Sequence, residues 1–111
     1  MPSRNFAVRS SRVPWENLPH EVRDALQGRL GDEVVETASQ SGGFSTGFAS
    51  RLRLRGGSRA FVKAVPTNGD PKALRLYERE AQVASYLPET LPVPPFLGWL
   101  TAGGWFALMF E

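Results

Sequence analysis

The sequence predicts a single α+β domain, built on a five-stranded antiparallel sheet with one packed helix and an extra N-terminal helix. Three observations carry this prediction. The length of 111 residues suits one domain of ordinary size. The spacing of apolar residues changes along the chain from a helical period to a strand period and back again. Short glycine-containing turns separate consecutive strand segments, which is typical of antiparallel hairpins.

Composition excludes several kinds of site. The chain has no Cys and one His, His20, which excludes disulfides, thiolate metal sites and a cluster of His ligands. The formal net charge is only +2, so the pI near 9.5 reflects the use of arginine more than a large basic excess. No apolar run approaches the roughly 20 residues that span a bilayer, and the first residues lack the apolar core of a secretory signal. We therefore expect a cytoplasmic protein without a membrane partner.

The first ordered element is predicted to be a helix over residues 15–30, preceded by a flexible tail at residues 1–14. Pro19 is expected within its first turn, where a missing N–H costs little. Gly31 stands where a C-cap glycine is expected. One apolar stripe recurs at steps of three and four residues: Trp15, Leu18, Val22, Leu26 and Leu30.

Three antiparallel strands are predicted next. Their expected ranges are 34–40, 48–54 and 59–65, with a hairpin turn at Gly56-Gly57. In the second strand Leu52 and Leu54 alternate with Arg51, Arg53 and Arg55. Because strand side chains alternate between faces, the leucines should enter a core and the arginines should lie on the opposite face.

The arginine row has two interpretations. The one we favour is a solvated outer face of the sheet. The alternative is a nucleic-acid-binding surface, since a row of arginines can follow phosphates. No aromatic residue is interleaved with these arginines along the strand, and the net charge is small. Nucleic-acid binding is therefore the less favoured interpretation.

A second helix and a closing hairpin complete the predicted fold. The helix should run over residues 71–86, with Asp70 as its N-cap and Pro71 as its first residue. Its apolar face is expected to hold Leu74, Tyr77, Ala81 and Ala84. A connector rich in proline follows, and strands over residues 96–100 and 105–110 close the domain as a hairpin around residues 102–104.

Three signals along the chain could carry chemistry. The turn at residues 42–47 has glycines that would let the backbone approach a phosphate, although it is as well explained as a plain hairpin. Lys63 lies in a strand among apolar residues, either paired or reaching to water at a sheet edge. Glu80 lies at the margin of the apolar helix face, as a partner for Lys63 or as a solvated residue. Their order is that of the nucleotide lobe of a kinase.

Several short segments make the resemblance more specific. They are Gly-Gly-Phe-Ser-Thr-Gly at 42–47, Phe-Val-Lys-Ala at 61–64, Glu-Arg-Glu-Ala at 78–81, Leu-Pro at 87–88, Val-Pro at 93–94 and Ala-Leu-Met-Phe-Glu at 107–111. With these segments, residues 15–111 resemble the N-terminal lobe of the aminoglycoside phosphotransferase and choline kinase-like family, which has a protein kinase-like fold. Phe44 stands where a protein kinase has its middle loop glycine, which argues against a protein kinase.

The resemblance implies an ATP site. Lys63 would contact the phosphates, Glu80 would pair with Lys63, and the backbone N–H groups of Ser45, Thr46 and Gly47 would face the phosphates. Residues 109–111 would approach the hinge that holds adenine. The side chains of Val62 and Leu108 would wall the base pocket. The full set of expected nucleotide-binding residues is Gly42, Gly43, Ser45, Thr46, Gly47, Val62, Lys63, Glu80, Leu108, Met109, Phe110 and Glu111.

The same family implies what this chain does not contain. Its catalytic Asp, its Mg²⁺-binding Asp and its pocket for the small-molecule acceptor belong to a second, mostly helical lobe, and no His-Gly-Asp or Asp-Phe-Asp motif occurs in the 111 residues. We therefore expect no catalytic or metal-ligating residue here, and Mg²⁺ only in a longer protein. A stand-alone interaction module is the alternative. Without the second lobe, the face around Val62, Leu108, Met109 and Phe110 should be partly bare, which predicts weak nucleotide affinity and a homodimer.

Overall fold

The computed structural model describes residues 13–39, 47–88 and 90–111, and in them the chain forms an α+β fold. One five-stranded antiparallel sheet carries a helix on each face, and its strand order is β1-β2-β3-β5-β4. The helices are α1 (His20–Leu30) and α2 (Pro71–Tyr86), and the strands are β1 (Val34–Ser39), β2 (Phe48–Leu54), β3 (Arg59–Pro66), β4 (Phe96–Ala102) and β5 (Trp105–Phe110). The five antiparallel strands and the two helices confirm the predicted fold class at this level.

The N-terminal helix begins later than the sequence predicts. A short 3₁₀ turn occupies Trp15–Asn17, Leu18 is extended with ψ of 144°, and Pro19 is the N-cap of α1. The reason is steric, because a proline ring disfavours the helical conformation of the residue before it. The expected single helix over 15–30 is therefore wrong over its first five residues. Gly31 caps α1 as predicted, with a φ of 83°.

The strands match their predicted positions with small differences at the ends. β2 has the predicted bounds, β3 extends one residue further to Pro66, and β4 continues to Ala102. β1 is described to Ser39, and Gln40 lies outside the described residues. The register of β4 against β5 shifts between Phe96 and Gly98. A shift of this kind bends a strand locally.

The face of the sheet that packs against α1, called here the α1 face, holds the larger core. Leu18, Val22 and Leu26 are almost completely buried against side chains of the inner strands. The strand residues of this cluster are Phe48, Leu52, Val62, Ala64, Ala107 and Met109. The leucines of β2 therefore enter the core, as their alternation predicts.

The opposite face, called here the α2 face, packs against the second helix. α2 begins as predicted, since the Asp70 side chain accepts a hydrogen bond from the Lys72 N–H at 2.9 Å and Pro71 is the first helical residue. The buried members of this core are Val65, Ala73, Tyr77, Ala81, Phe106 and Leu108. Ala73 replaces Ala84 in the predicted apolar face, and Leu74 is only partly buried.

The predicted bare face is wrong for three of its four residues. Val62, Leu108 and Met109 are completely buried, because α1 covers two of them and α2 covers Leu108. Phe110 alone is partly exposed. The exposed large apolar residues lie elsewhere, at Val35 of β1, on and just after α2, on the connector and on β4. None of the helices in the described part of the chain is long and apolar enough to cross a membrane.

Candidate functional site

An ion pair between β3 and α2 is the centre of the candidate site. The Lys63 Nζ donates hydrogen bonds to both carboxylate oxygens of Glu80, at 2.7 Å to Oε1 and 2.9 Å to Oε2. The Lys63 side chain is 24% exposed and that of Glu80 is 38% exposed. The structure thus joins two residues that are 17 positions apart and that the sequence predicts as partners.

Two aromatic rings lie close to the lysine ammonium group. Its Nζ lies 5.2 Å from the centre of the Tyr77 ring and 6.0 Å from the centre of the Phe110 ring. Rings at this distance attract a cation through their electron-rich faces. An ammonium group has three N–H donors. Two of them reach Glu80, so the third remains for a ligand oxygen in front of the pair.

A wide groove of about 1730 Å³ opens beside this pair. Glu80 and Val83 line it from α2, Leu87 lines it just after the end of that helix, and Lys63 lines it from the sheet. Its walls also include the connector at residues 93–95 and the end of β5 at residues 110 and 111. The groove is large enough for a small organic ligand, since typical ligand sites measure about 300–1,000 Å³.

Three phenylalanines form an aromatic cluster in this groove. The Phe110 ring lies 6.5 Å from the Phe61 ring and 5.3 Å from the Phe96 ring, measured between ring centres, and all three residues are partly buried. Phe61 and Phe96 are not among the predicted site residues. Strand alternation was the signal that could have found Phe61, because it lies two positions before Lys63 and therefore on the same face.

The same alternation moves two predicted site residues away from the groove. Val62 and Met109 pair across the β3–β5 ladder and belong to the core on the α1 face. Leu108 lies on the α2 face opposite Lys63, completely buried under α2. The side chains of Val62, Leu108 and Met109 do not line the groove. Phe110 and Glu111 do line it.

Most of the predicted glycine-rich loop lies outside the described residues, including Gly42, Gly43, Ser45 and Thr46. Gly47 is described and buried, with a φ of 86°. A Cβ at this position would meet the carbonyl oxygen of Ala64 in the neighbouring strand. Only glycine therefore fits where the loop enters β2. The Gly47 carbonyl oxygen also accepts a hydrogen bond from the Val13 N–H at 2.8 Å, which ties residue 13 to the sheet.

The arginine row lies on the α2 face, opposite the leucines of β2, as the alternation predicts. Arg51 pairs with Phe61 across the β2–β3 ladder, and Arg53 pairs with Arg59. These arginines are exposed, as a solvated face requires, but they line the same groove as Lys63. An aromatic residue is therefore next to the arginines in space, although none is interleaved with them along β2.

Two carboxylates partly neutralise the arginine row: Glu36 pairs with Arg53, and Glu33 pairs with Arg55, which does not line the groove. The Arg53 Nε donates a hydrogen bond to the Glu36 Oε1 at 2.6 Å. That hydrogen bond and the positive charges of Arg53 and Arg59 hold the pKa of Glu36 below its ordinary value. Arg51 has no ion pair with any residue that the structure describes. The Arg51 guanidinium, which has no carboxylate partner in the described part of the chain, therefore lies next to Phe61 of the aromatic cluster.

Metal binding has no support within the described ranges. They contain no group of three or more Asp, Glu, His or Cys side chains placed to hold a metal ion. His20 is exposed at the start of α1 and is not among the residues that line the groove. The described residues can hold an anion through Lys63 and pack an aromatic ring, which are binding functions. In comparisons with known proteins, no family model, no curated protein and no solved structure matches this chain.

Proposed function

We propose that this chain is the nucleotide-binding lobe of a small-molecule phosphotransferase of the aminoglycoside phosphotransferase type. The observation that carries the proposal is the two-bond contact between Lys63 and Glu80 at the edge of a groove, with Gly47 of the glycine-rich segment on the neighbouring strand. A glycine-rich loop, a strand lysine and a helix glutamate in this order are the parts that hold nucleotide phosphates in kinases.

The proposal gives a role to the ion pair and to the aromatic cluster. Lys63 donates its third N–H to a phosphate oxygen, while Glu80 fixes the direction of the lysine side chain. The aromatic cluster of Phe61, Phe96 and Phe110 packs against the base. ATP is the nucleotide that the resemblance implies. In this proposal the chain positions the nucleotide but does not transfer phosphate.

Transfer would need groups from a second lobe. Phosphoryl transfer requires an Asp that orients the acceptor hydroxyl and carboxylates that hold Mg²⁺. The described residues provide no such metal site. We therefore assign the acceptor pocket and the Mg²⁺ ligands to a lobe that would pack on this one, and we derive no catalytic step from this chain.

Binding of ATP by Lys63 variants tests the proposal. Replacing Lys63→Met removes a charged hydrogen bond to phosphate, so we expect the Kd for ATP to rise about tenfold to a hundredfold. Lys72→Met is the matched control, because Lys72 is the other lysine of the chain and is exposed outside the groove. Titration of the ¹⁵N-labelled chain followed by NMR measures weak affinities. Equal Kd values for the two variants would contradict the proposal.

A second candidate, a stand-alone interaction module, is favoured by one observation. Exposed apolar side chains line the rim of the groove. They are Val83, Leu87, Val93, Leu97 and Trp99, each 41–53% exposed. Contiguous apolar surface of this kind is typical of contact surfaces. It suits a second lobe as well as a separate partner, and nucleotide binding is the property that separates the two candidates.

A further inference from the structure

The wall of the groove beside the aromatic cluster carries donors but few acceptors. Arg51 lies directly opposite Phe61, and the next pair along the ladder is Arg53 with Arg59. Residues opposite one another on an antiparallel ladder share a face, so all three arginines lie on the face of Lys63. The one carboxylate of this wall, Glu36, is engaged by Arg53. The wall therefore presents N–H groups to a ligand.

Arg51 is the arginine best placed to donate hydrogen bonds to that ligand. Its neighbours across the two ladders are Ala38 in β1 and Phe61 in β3, and neither offers a carboxylate. A guanidinium group carries five N–H donors and no acceptor. Phe61 lies two residues before Lys63 in β3 and on the same face, a separation of about 6.6 Å along the strand. A base packed on Phe61, with its phosphates at Lys63, would present an edge to Arg51.

Donors alone discriminate between the two purines. Guanine presents two neighbouring acceptors, O6 and N7, and a bidentate contact from Arg to these atoms is the commonest specific contact to a base. Adenine presents an N6 amino group in place of O6, so a guanidinium would face a second donor there. A nucleic-acid strand fits this wall less well, because polymer binding draws on many phosphate contacts, and of the wall's arginines only Arg51 and Arg59 have no ion pair with a described carboxylate.

Resting on the nucleotide-binding function proposed above, we propose that the groove prefers guanine to adenine nucleotides and that Arg51 sets this preference. The guanidinium of Arg51 donates to O6 and N7 of a base that packs against Phe61. The nucleotide used by this lobe is then GTP, in place of the ATP that the family resemblance implies. The role of Lys63 and Glu80 is the same for both nucleotides.

The test is a pair of titrations, with GTP and with ATP, on the full chain and two variants. For the unchanged chain we expect GTP to bind about tenfold to a hundredfold more tightly than ATP. Arg51→Gln should abolish the preference, because it removes the guanidinium contact to guanine and introduces an amide that can pair with N6 and N7 of adenine. Arg75→Gln is the matched control, since Arg75 is an exposed arginine of α2 outside the groove, and it should keep the preference. Circular dichroism checks that each variant is folded.

The contrary outcomes separate this inference from the proposed function. Binding of ATP as tight as that of GTP, as expected if Glu111 accepts a hydrogen bond from the adenine amino group, would overturn the guanine preference and leave the nucleotide site in place. A preference for GTP that persists in Arg51→Gln would overturn the role of Arg51. Failure of both nucleotides to bind would overturn this inference and the proposed function together.

Discussion

The Lys63–Glu80 ion pair should contribute little to the stability of the fold. Both side chains are partly exposed, and exposed ion pairs contribute about 0–1 kcal/mol to folding because water and salt screen them. The Lys63 Nζ also lies near the Tyr77 and Phe110 rings, and these contacts do not require the glutamate. The Glu80 carboxylate holds the Lys63 ammonium group in a fixed position beside the groove.

The ion pair should affect nucleotide binding more than stability, and the variant Glu80→Gln tests this expectation. The change keeps the shape of the side chain and removes its charge, so we expect the free energy of unfolding to fall by less than about 1 kcal/mol. The Kd for nucleotide should rise several-fold, because the lysine is less firmly directed. Glu78→Gln is the control, since Glu78 is exposed on α2 two residues earlier and is not among the groove residues.

Urea unfolding and nucleotide titration of both Glu variants decide between the two roles. A large loss of stability in Glu80→Gln, with nucleotide affinity unchanged, would assign the pair a structural role and count against the proposed site.

At the scale of elements, α1 is an integral part of the fold. It supplies Val22 and Leu26 to the α1 face, next to Leu18 from the segment before it, and buried side chains of three strands pack against these residues. We predict that Leu26→Ala lowers the free energy of unfolding by about 2–5 kcal/mol, the usual cost of a cavity in a core. Leu76→Ala on α2 is the control, because Leu76 is 48% exposed and its loss should cost less than about 0.5 kcal/mol.

Thermal or urea unfolding of the two leucine variants gives the comparison directly. Similar small losses for both would mean that α1 is a loosely attached addition, in conflict with the burial described above.

The link between α1 and the sheet predicts a pH dependence. The Asp32 carboxylate accepts hydrogen bonds from the Gly56 N–H and the Glu33 N–H, both at 2.7 Å, and these bonds lower its pKa below the ordinary value. A carboxylate with a lowered pKa in the folded state stabilises the fold above its unfolded-state pKa of about 3.9. This contribution is lost as the pH falls through the folded-state pKa.

Asp32→Asn should therefore be less stable than the unchanged chain at pH 7, and the difference should shrink between pH 4 and pH 2. Urea unfolding of both proteins across this range measures the difference. A difference that stays constant over the whole range would show that the charge of Asp32 contributes nothing to the link between α1 and the β2–β3 turn.

Sequence reasoning was strongest where a local signal has one structural meaning. Asp70 followed by Pro71 marked the start of α2, and the alternation in β2 separated its leucines from its arginines. It failed at Leu18, where the proline that follows overrides the helical stripe. The pairing of Lys63 with Glu80 could be predicted because the order of their strand and helix resembles that of the nucleotide lobe of a kinase.

Other parts of the site depend on contacts that no short segment encodes. Phe96 joins Phe61 and Phe110 only because β4 pairs with β5 at the edge of the sheet. The arginine row faces the groove only because α2 covers the β3–β5 side of that face and leaves β2 open. Single-sequence patterns predict faces and periods, whereas these arrangements follow from the strand order.

The whole molecule is a sheet with two unequal faces. α1 closes one face with a continuous core, and α2 covers part of the other, which leaves the groove open beside the helix. Exposed apolar side chains line the rim of that groove. Association with a second lobe or a second copy through this rim stays a prediction. In the proposed function the phosphates would lie at Lys63 and the base at the phenylalanines.

The most direct test of this account is an amide chemical-shift map of the ¹⁵N-labelled chain titrated with nucleotide. We predict that the largest shifts fall on the α2 face, at Phe61, Lys63, Glu80 and Phe110, and that amides of α1 such as that of Leu26 stay unchanged. Shifts concentrated on α1, or no shifts at millimolar nucleotide, would contradict the claim that this groove is a nucleotide site.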